Sequence, residues 1–204
     1  MTARSLEDLT APACPGQVRH SVVTVTAGLR EPSSTRLLAD RLSAATGAQL
    51  SADGASFSTH TIELRDHAHD VVDALLTGRT SASLAEAVAA VTGADALIAV
   101  TPVFSAAYSG LFKSFVDILD KESLVDRPVL LGATGGSPRH QLALDHSLRP
   151  LFAHLRADTV PTAVFAAPED WSPEGEDRLA ERIGRAAGQL AARVTVRAGI
   201  RRTH

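Results

Sequence analysis

Short apolar runs rich in β-branched residues alternate with segments of helical periodicity through most of this sequence. The run 18–26 is followed by a helical segment at 34–47, and the run 94–100 is apolar throughout. A strand without a polar face has to be covered on both sides, which is typical of a parallel sheet between helices. The alternation therefore predicts one α/β domain with a parallel sheet and helices on both faces.

The same pattern sets the extent of the domain. Further strands are predicted at 57–64, 127–134 and 159–167, and further helices at 69–78, 83–93, 109–120, 139–157 and 173–195. A chain of 204 residues suffices for one such domain. We expect the domain to span 18–196, with a loose tail at 1–17 and a basic C-terminal tail at 197–204.

Charge and cysteine content exclude several classes of protein. The net charge of −3 gives no electrostatic reason to expect nucleic acid or an anionic membrane as a partner. No apolar run reaches the roughly 18 residues of a membrane span, and the N-terminus lacks the apolar core of a signal peptide. The single Cys14 excludes an internal disulfide and favours a cytoplasmic location. Cys14 lies between prolines in the expected tail, which favours an incidental role over that of a nucleophile.

The loop after the first predicted strand (26–39) contains a cluster of donors where a helix begins. Arg30 and the hydroxyl residues Ser33, Ser34 and Thr35 lie there. A helix N-terminus attracts anions, and an arginine adds a fork suited to phosphate, so a monophosphate is the natural ligand. The alternative is that Ser33 or Ser34 only caps the helix and Arg30 is solvated.

The connection after the run 94–100 contains a proline, small residues and two aromatic residues. Pro102 ends the strand, the small residues 105–107 leave room for a flat ligand, and Phe104 and Tyr108 offer ring faces to it. Ligands of such sheets bind beyond the carboxyl ends of the strands. The alternative is that both aromatic residues fill the core.

The loop after the predicted strand 127–134 begins with Gly135 and Gly136, followed by Ser137. Glycines permit backbone angles closed to other residues, and they permit close approach of a ligand. A tight strand–helix turn would use the same residues.

Pro150 falls inside the apolar repeat of the predicted helix 139–157. A mid-helix proline lacks an N–H and crowds the carbonyl of His146, four residues earlier. We therefore predict a kink or π-type bulge around His146. A simple kink in a surface helix is the alternative.

Taken together, the three loops resemble those of the NADPH-dependent FMN reductases over roughly residues 20–165. Arg30, Ser33 and Thr35 match the phosphate loop of that family, while "TPVFSAAYSGLFKSFVDIL" and "ATGGSPRHQLALDHSLRPL" resemble its two flavin loops. Within the family, the chain most resembles the flavin reductases of two-component sulfonate and luciferase-like monooxygenase systems. Members that use flavin as a diffusing substrate carry an extra residue, forming a π-bulge, at the position matching His146.

The resemblance implies a flavodoxin-like three-layer fold with a five-stranded parallel sheet in the order 2-1-3-4-5. It implies an FMN phosphate at the first loop and an isoalloxazine ring against the other two. The residues expected to bind FMN are Arg30, Ser33, Ser34, Thr35, Pro102, Val103, Phe104, Ser105, Tyr108, Thr134, Gly135, Gly136 and Ser137. Hydride transfer between cofactors needs no protein acid or base, so no catalytic side chain is named.

The implied activity is NAD(P)H-dependent reduction of FMN at flavin N5, with reduced FMN passing to a partner flavin-dependent monooxygenase. The alternatives are a quinone or azo reductase with tightly bound FMN, and a non-enzymatic electron carrier of flavodoxin type. Such carriers are strongly acidic, which a net charge of −3 matches poorly. The sequence leaves the preference between NADPH and NADH open.

Two further segments carry weaker expectations. The predicted helix 109–120 is apolar nearly all round, which favours a homodimer or homotetramer, as in the family, over a plain core helix. The cluster "RDHAHD" at 65–70 suggests a metal site, but His67 and His69 would diverge on a helix, so a solvated loop is expected there.

Overall fold

The computed structural model describes residues 19–201, with side chains through Arg197. The tail predicted at 1–17, which includes Cys14, and the last residues 202–204 lie outside the described residues. Within the described part, no helix is long and apolar enough to cross a membrane.

The strands form a mostly parallel sheet. Numbered along the chain, they are β1 (Arg19–Thr26), β2 (Ser56–Glu63), β3 (Ala96–Phe104), β4 (Ala107–Tyr108), β5 (Pro128–Thr134), β6 (Asp158–Thr159) and β7 (Val164–Ala166). The order is β2-β1-β3-β5-β6, β7 also pairs with β5 in parallel, and β4 folds back on β3 as an antiparallel hairpin. The predicted flavodoxin-like order is therefore confirmed.

The helices cover both faces of this sheet. They are α1 (Ser34–Ala52), α2 (Ala68–Thr77), α3 (Ala82–Gly93), α4 (Gly110–Asp117), α5 (Arg149–His154) and α6 (Pro173–Arg201), with a π-helix at Leu144–Leu148 and 3-10 turns at Leu64–His67, Pro138–His140 and Pro168–Trp171. The strand side chains alternate between two apolar cores, as Leu97 and Ile98 do. One core lies against α2 to α5 and the other against α1 and α6.

The fifth predicted strand differs from the expectation because it is interrupted between β6 and β7. Pro161 in the interruption cannot donate a backbone hydrogen bond. Side chains bind the backbone there instead: Arg149 donates to the carbonyls of Val160 (3.1 Å) and Pro161 (3.0 Å), and Gln189 accepts from the amide of Thr162 (2.9 Å). These side chains thus cover the backbone at this edge of the sheet.

The predicted helix 139–157 contains the predicted bulge. The π-helix Leu144–Leu148 places His146 at its centre, and the amide of Arg149 donates to the carbonyl of Leu144. Pro150 follows directly in the first turn of α5, so the N–H that it lacks falls where the π-helix passes into the α-helix. The π-type bulge at His146 is therefore confirmed.

Several helix boundaries differ from the prediction. The first helix, α1, continues to Ala52 rather than ending at 47. The helix predicted at 139–157 is a 3-10 turn at Pro138–His140 followed by the π-helix and α5, which end at His154. The helix predicted at 109–120 is shorter, because α4 ends at Asp117, and its start is capped by the hydroxyl of Ser109, which accepts from the amide of Phe112 at 3.2 Å. The last helix is longer, because α6 continues to Arg201 rather than ending near 195.

Candidate functional site

The carboxyl ends of β1, β3 and β5 meet at a cleft of about 710 Å³. The residues that line it come from the three loops singled out in the sequence and from the turn after β7. They are Leu29, Arg30, Pro32, Ser33, Ser34, Thr35, Leu37, Pro102, Val103, Phe104, Thr134, Gly135, Gly136, Pro168 and Trp171. Every predicted FMN-binding residue lines this cleft except Ser105, Tyr108 and Ser137.

The first loop leads directly into α1. The Ser33 hydroxyl accepts from the amide of Arg36 at 3.1 Å, so Ser33 caps the helix as the alternative interpretation proposed. In this first turn the amides of Ser34 and Thr35 have no acceptor within the helix. The hydroxyl of Thr35 lies 2.7 Å from that of Thr134, which ties the loop to the end of β5. The cap therefore leaves the amides of Ser34 and Thr35 without partners in the helix, which is the arrangement that attracts anions.

Gly28 makes the tight turn of this loop possible. A Cβ at position 28 would overlap the Ser33 hydroxyl and lie 3.1 Å from the Ser33 Cβ and 3.3 Å from the Thr35 Cβ. Gly28 was not among the predicted site residues. The lone glycine between a strand and a helix start was the signal for it.

The charges near this loop are divided between paired and unpaired arginines. Arg36 binds Asp40 and Glu63, and Arg65 binds Glu31. Burial alone would lower the pKa of Arg36, but its hydrogen bonds and charge interactions with the two carboxylates raise that pKa above its ordinary value.

Arg30 is the contrasting case. It is exposed, and its guanidinium has no hydrogen bond or ion pair with any residue that the structure describes. Because Arg36 and Arg65 are already neutralised by carboxylates, Arg30 is the cation lining the cleft that is available to an anionic ligand.

The second loop begins later than predicted, because Pro102 does not end the strand: β3 continues to Phe104, and Pro102 pairs with Thr134 of β5. The loop is a two-residue hairpin between β3 and β4. Its central residues, Ser105 and Ala106, have φ angles of 49° and 68°, as in a type I′ turn. This left-handed conformation is unfavourable for residues with a Cβ. Phe104 before the turn is 49% exposed and lines the cleft.

Tyr108 does not face the cleft. Its ring packs against Phe112, with 6.2 Å between the centroids, and is partly buried against the core. The alternative interpretation of this aromatic residue as core packing therefore fits better, because β4 turns Tyr108 back over α4.

The third loop corrects one argument made from the sequence. Neither Gly135 nor Gly136 has a positive φ, so glycine is not needed here for its backbone angles. Space is the reason at Gly135, where a Cβ would lie 2.8 Å from Cζ of Phe165. A Cβ at Gly136 would meet no atom within 4 Å, so that position opens onto the cleft. Ser137 caps the following 3-10 turn through a 3.4 Å bond from the amide of Arg139.

Five cleft residues were not predicted: Leu29, Pro32, Leu37, Pro168 and Trp171. Leu29 and Leu37 are 51% and 44% exposed, so the cleft walls carry unusually accessible apolar surface. Trp171 is held by Arg41, whose guanidinium carbon lies 5.2 Å from the ring centroid. The signal for Trp171 was its position after the last strand, at the same rim of the sheet.

The arrangement fits a flat ligand with one phosphate. One part of the cleft offers free amides, hydroxyls and the unpaired Arg30, and another offers apolar walls and the open space at Gly136. The described residues include no group of three or more metal-ligating side chains.

Comparison with known proteins agrees with this geometry. The profile of the family described as NADPH-dependent FMN reductase matches residues 20–172. The chain belongs to the NADPH-dependent FMN reductase family.

Individual relatives of this FMN reductase family member cover most of the domain. The chain is 39% identical over 150 residues to an FMN reductase (NADPH) of Pseudomonas aeruginosa, covering 74% of this chain and 78% of the relative. It is 40% identical over 151 residues to the NADH-dependent FMN reductase SfnF of Pseudomonas fluorescens, again covering 74% and 78%. A solved oxidoreductase from Corynebacterium diphtheriae is 46% identical, with a TM-score of 0.83, covering 87% of this chain and 97% of that one.

These matches confirm the family that the three loops indicated. The two curated relatives carry different dinucleotide names, NADPH and NADH. Family membership therefore leaves the preference of this chain open.

Proposed function

We propose that this protein reduces FMN with NADH or NADPH and supplies the reduced FMN to a partner flavin-dependent monooxygenase. The observation that carries this proposal is the unpaired Arg30 beside the free amides of Ser34 and Thr35, in the same cleft as the open Gly136. The family and its curated relatives support the reductase activity.

The chain contributes binding and orientation. Arg30, the Ser34 hydroxyl and the free amides at the start of α1 would hold the phosphate. Phe104 and Trp171 would flank the ring and exclude water, while Gly136 leaves room for close approach. When bound, FMN supplies the hydride-accepting N5, and the nicotinamide C4 must lie against it. No side chain of the cleft is needed as an acid or base.

Two observations favour flavin as a diffusing substrate over a tightly held cofactor. Arg30 and Phe104 are exposed, so the cleft is accessible to solvent at both loops. The π-helix around His146 lies where the flavin reductases that this chain resembles carry their extra residue.

Steady-state assays separate this proposal from its rivals. We expect oxidation of NADH or NADPH only when FMN is added, from a protein that purifies without colour. A yellow protein with stoichiometric FMN that reduces quinones without added flavin would instead indicate the holoenzyme. Absence of dinucleotide oxidation under all of these conditions would contradict the reductase proposal.

Self-association is a second part of the proposal. The apolar face predicted on helix 109–120 is not exposed, because Phe112, Phe115 and Val116 of α4 are buried in the core, as in the alternative of a plain core helix. The neighbouring α2 instead exposes Val72, Leu75 and Leu76 on one face. Exposed apolar residues at this spacing are typical of an interface between subunits. We propose a homodimer or homotetramer through this face.

Light scattering at micromolar concentration tests this proposal by measuring the molar mass in solution. We expect wild type to have the mass of a dimer or tetramer and Leu76→Lys to have a lower mass. A wild-type protein with the mass of a monomer would contradict the proposal. A cytoplasmic location stays a prediction.

A further inference from the structure

A second pocket, of about 490 Å³, adjoins the cleft. It lies beyond the edge strand β7, between the π-helix and α6. The ring of Phe165 lines this pocket and packs against Gly135 of the cleft. Pro138 and Glu169 of the pocket each adjoin the cleft loops in sequence. Phe165 and these two sequence neighbours place the pocket directly beside the cleft.

The charged residues of this pocket are unequally paired. Asp145 binds Arg149 at 3.1 Å, and Asp170 binds Arg182 at 2.6 Å. The side chains of Arg178 and Glu169 have no hydrogen bond or ion pair with any residue in the described part of the chain. The pocket thus offers one free guanidinium and one free carboxylate beside apolar walls.

A strand from a partner protein is a poor occupant. The edge of the sheet in this region is already covered, since Arg149 binds two carbonyls and Gln189 binds the amide of Thr162. Arg182 donates to the carbonyl of Phe165 at 3.3 Å. An incoming strand would have to displace these side chains, whereas a small molecule would not.

We propose that this pocket binds the adenosine-phosphate half of the reduced dinucleotide, while the nicotinamide half reaches the FMN cleft. The inference rests on the proposed function. Arg178 would bind a phosphate, because guanidinium groups pair with phosphate through two parallel hydrogen bonds. Glu169 would accept from ribose hydroxyls, as acidic residues do in other dinucleotide sites. Phe165 and Leu142 would contact the base.

Binding of ADP-ribose, which lacks nicotinamide, tests the pocket without any redox chemistry. By calorimetry on flavin-free protein, we expect wild type to bind ADP-ribose and Arg178→Ala to bind it about tenfold or more weakly. The same substitution should raise KM for NADH by a similar factor and leave the FMN dissociation constant unchanged. A parallel titration with the 2′-phosphorylated analogue shows which phosphate Arg178 contacts.

Arg185→Ala is the matched control. Arg185 lies on the same helix, is exposed and pairs with Glu181 outside the pocket. We expect it to behave as wild type in both titrations. If wild type does not bind ADP-ribose, or if Arg178→Ala leaves both its affinity and KM for NADH unchanged, the inference is wrong even where FMN reduction proceeds. Failure of the proposed function would appear differently, as wild-type protein that does not reduce FMN.

Discussion

The first loop and the β3–β4 hairpin face the same cleft but are held in place by opposite means. The first loop is fastened by contacts: Ser33 caps α1, and Thr35 meets Thr134 across 2.7 Å. The hairpin is instead held with Ser105 and Ala106 in a left-handed backbone that neither residue favours. The proposed phosphate end of the site is thus stabilised by its own side chains, whereas the proposed ring end keeps a strained turn that the rest of the fold must stabilise.

This contrast implies different responses to substitution. Changes in the first loop should remove FMN binding, because the contacts that order the loop also order its donors. Changes in the hairpin should alter stability more than binding.

Gly28→Val should have the largest effect. The side chain would displace Ser33, which costs about 1–3 kcal/mol for overpacking and about 1 kcal/mol for the lost cap. FMN affinity should fall on the order of 100-fold, because the whole donor array moves. Thermal unfolding and FMN titration measure the two effects.

Gly188→Ala is the control for Gly28→Val, since a Cβ at position 188 in α6 meets no atom within 4 Å. It should stabilise the protein by about 0.5–1 kcal/mol. A Gly28→Val protein with the stability and FMN affinity of wild type would contradict the claim that contacts within the first loop order its donors.

Arg30→Ala should come next. Loss of a charged hydrogen-bonded contact costs about 1.5–3 kcal/mol, or roughly 10- to 150-fold in FMN affinity. Riboflavin, which has no phosphate, should bind equally well to both proteins. Equal losses for FMN and riboflavin in fluorescence titrations would take Arg30 out of the phosphate site.

Gly136→Val should weaken FMN binding by about tenfold or more while the protein stays folded, because the new side chain would enter open space in the cleft. Gly135→Ala is its counterpart, since there the Cβ meets Phe165 and should lower stability. Circular dichroism shows whether each variant is folded, and FMN titration measures its affinity for flavin. Together they distinguish a blocked cleft from disturbed core packing. Unchanged flavin affinity in folded Gly136→Val would contradict the assignment of this loop.

Ala106→Gly should have the smallest effect, and it should stabilise the protein rather than destabilise it. Glycine adopts a φ near 68° without a Cβ penalty, so unfolding should become less favourable by about 0.5–1 kcal/mol. FMN affinity should change less than it does in the first-loop variants. A destabilised Ala106→Gly protein would mean that the hairpin is not strained.

Much of the fold could be predicted because its periodicity is strong. The unbroken apolar run at 94–100 required cover on both faces, and Pro150 fixed the π-helix around His146. The interruption of the fifth strand could not be predicted, because a proline near the start of the predicted strand 159–167 is compatible with an unbroken edge strand. Nothing local shows that Arg149, twelve residues away from Pro161, binds the backbone there.

The candidate site likewise has residues that the sequence predicts and residues that it does not. That Arg30, Ser33 and Thr35 line the cleft could be predicted, because helix starts have recognisable donor chemistry. The left-handed turn at Ser105 and Ala106 was not, since serine and alanine rarely adopt it. Gly28 and Trp171 carry only weak signals in the sequence, a lone glycine before a helix start and a position after the last strand, and their contacts with Ser33 and Arg41 become visible only in the structure.

A crystal structure of the protein with FMN tests the central claim most directly. We expect the phosphate at the start of α1, within hydrogen-bonding distance of Arg30 and of the amides of Ser34 and Thr35, and the ring beside Phe104 and Gly136. A phosphate bound elsewhere, or an Arg30 that points away from a flavin seated in the cleft, would contradict the account.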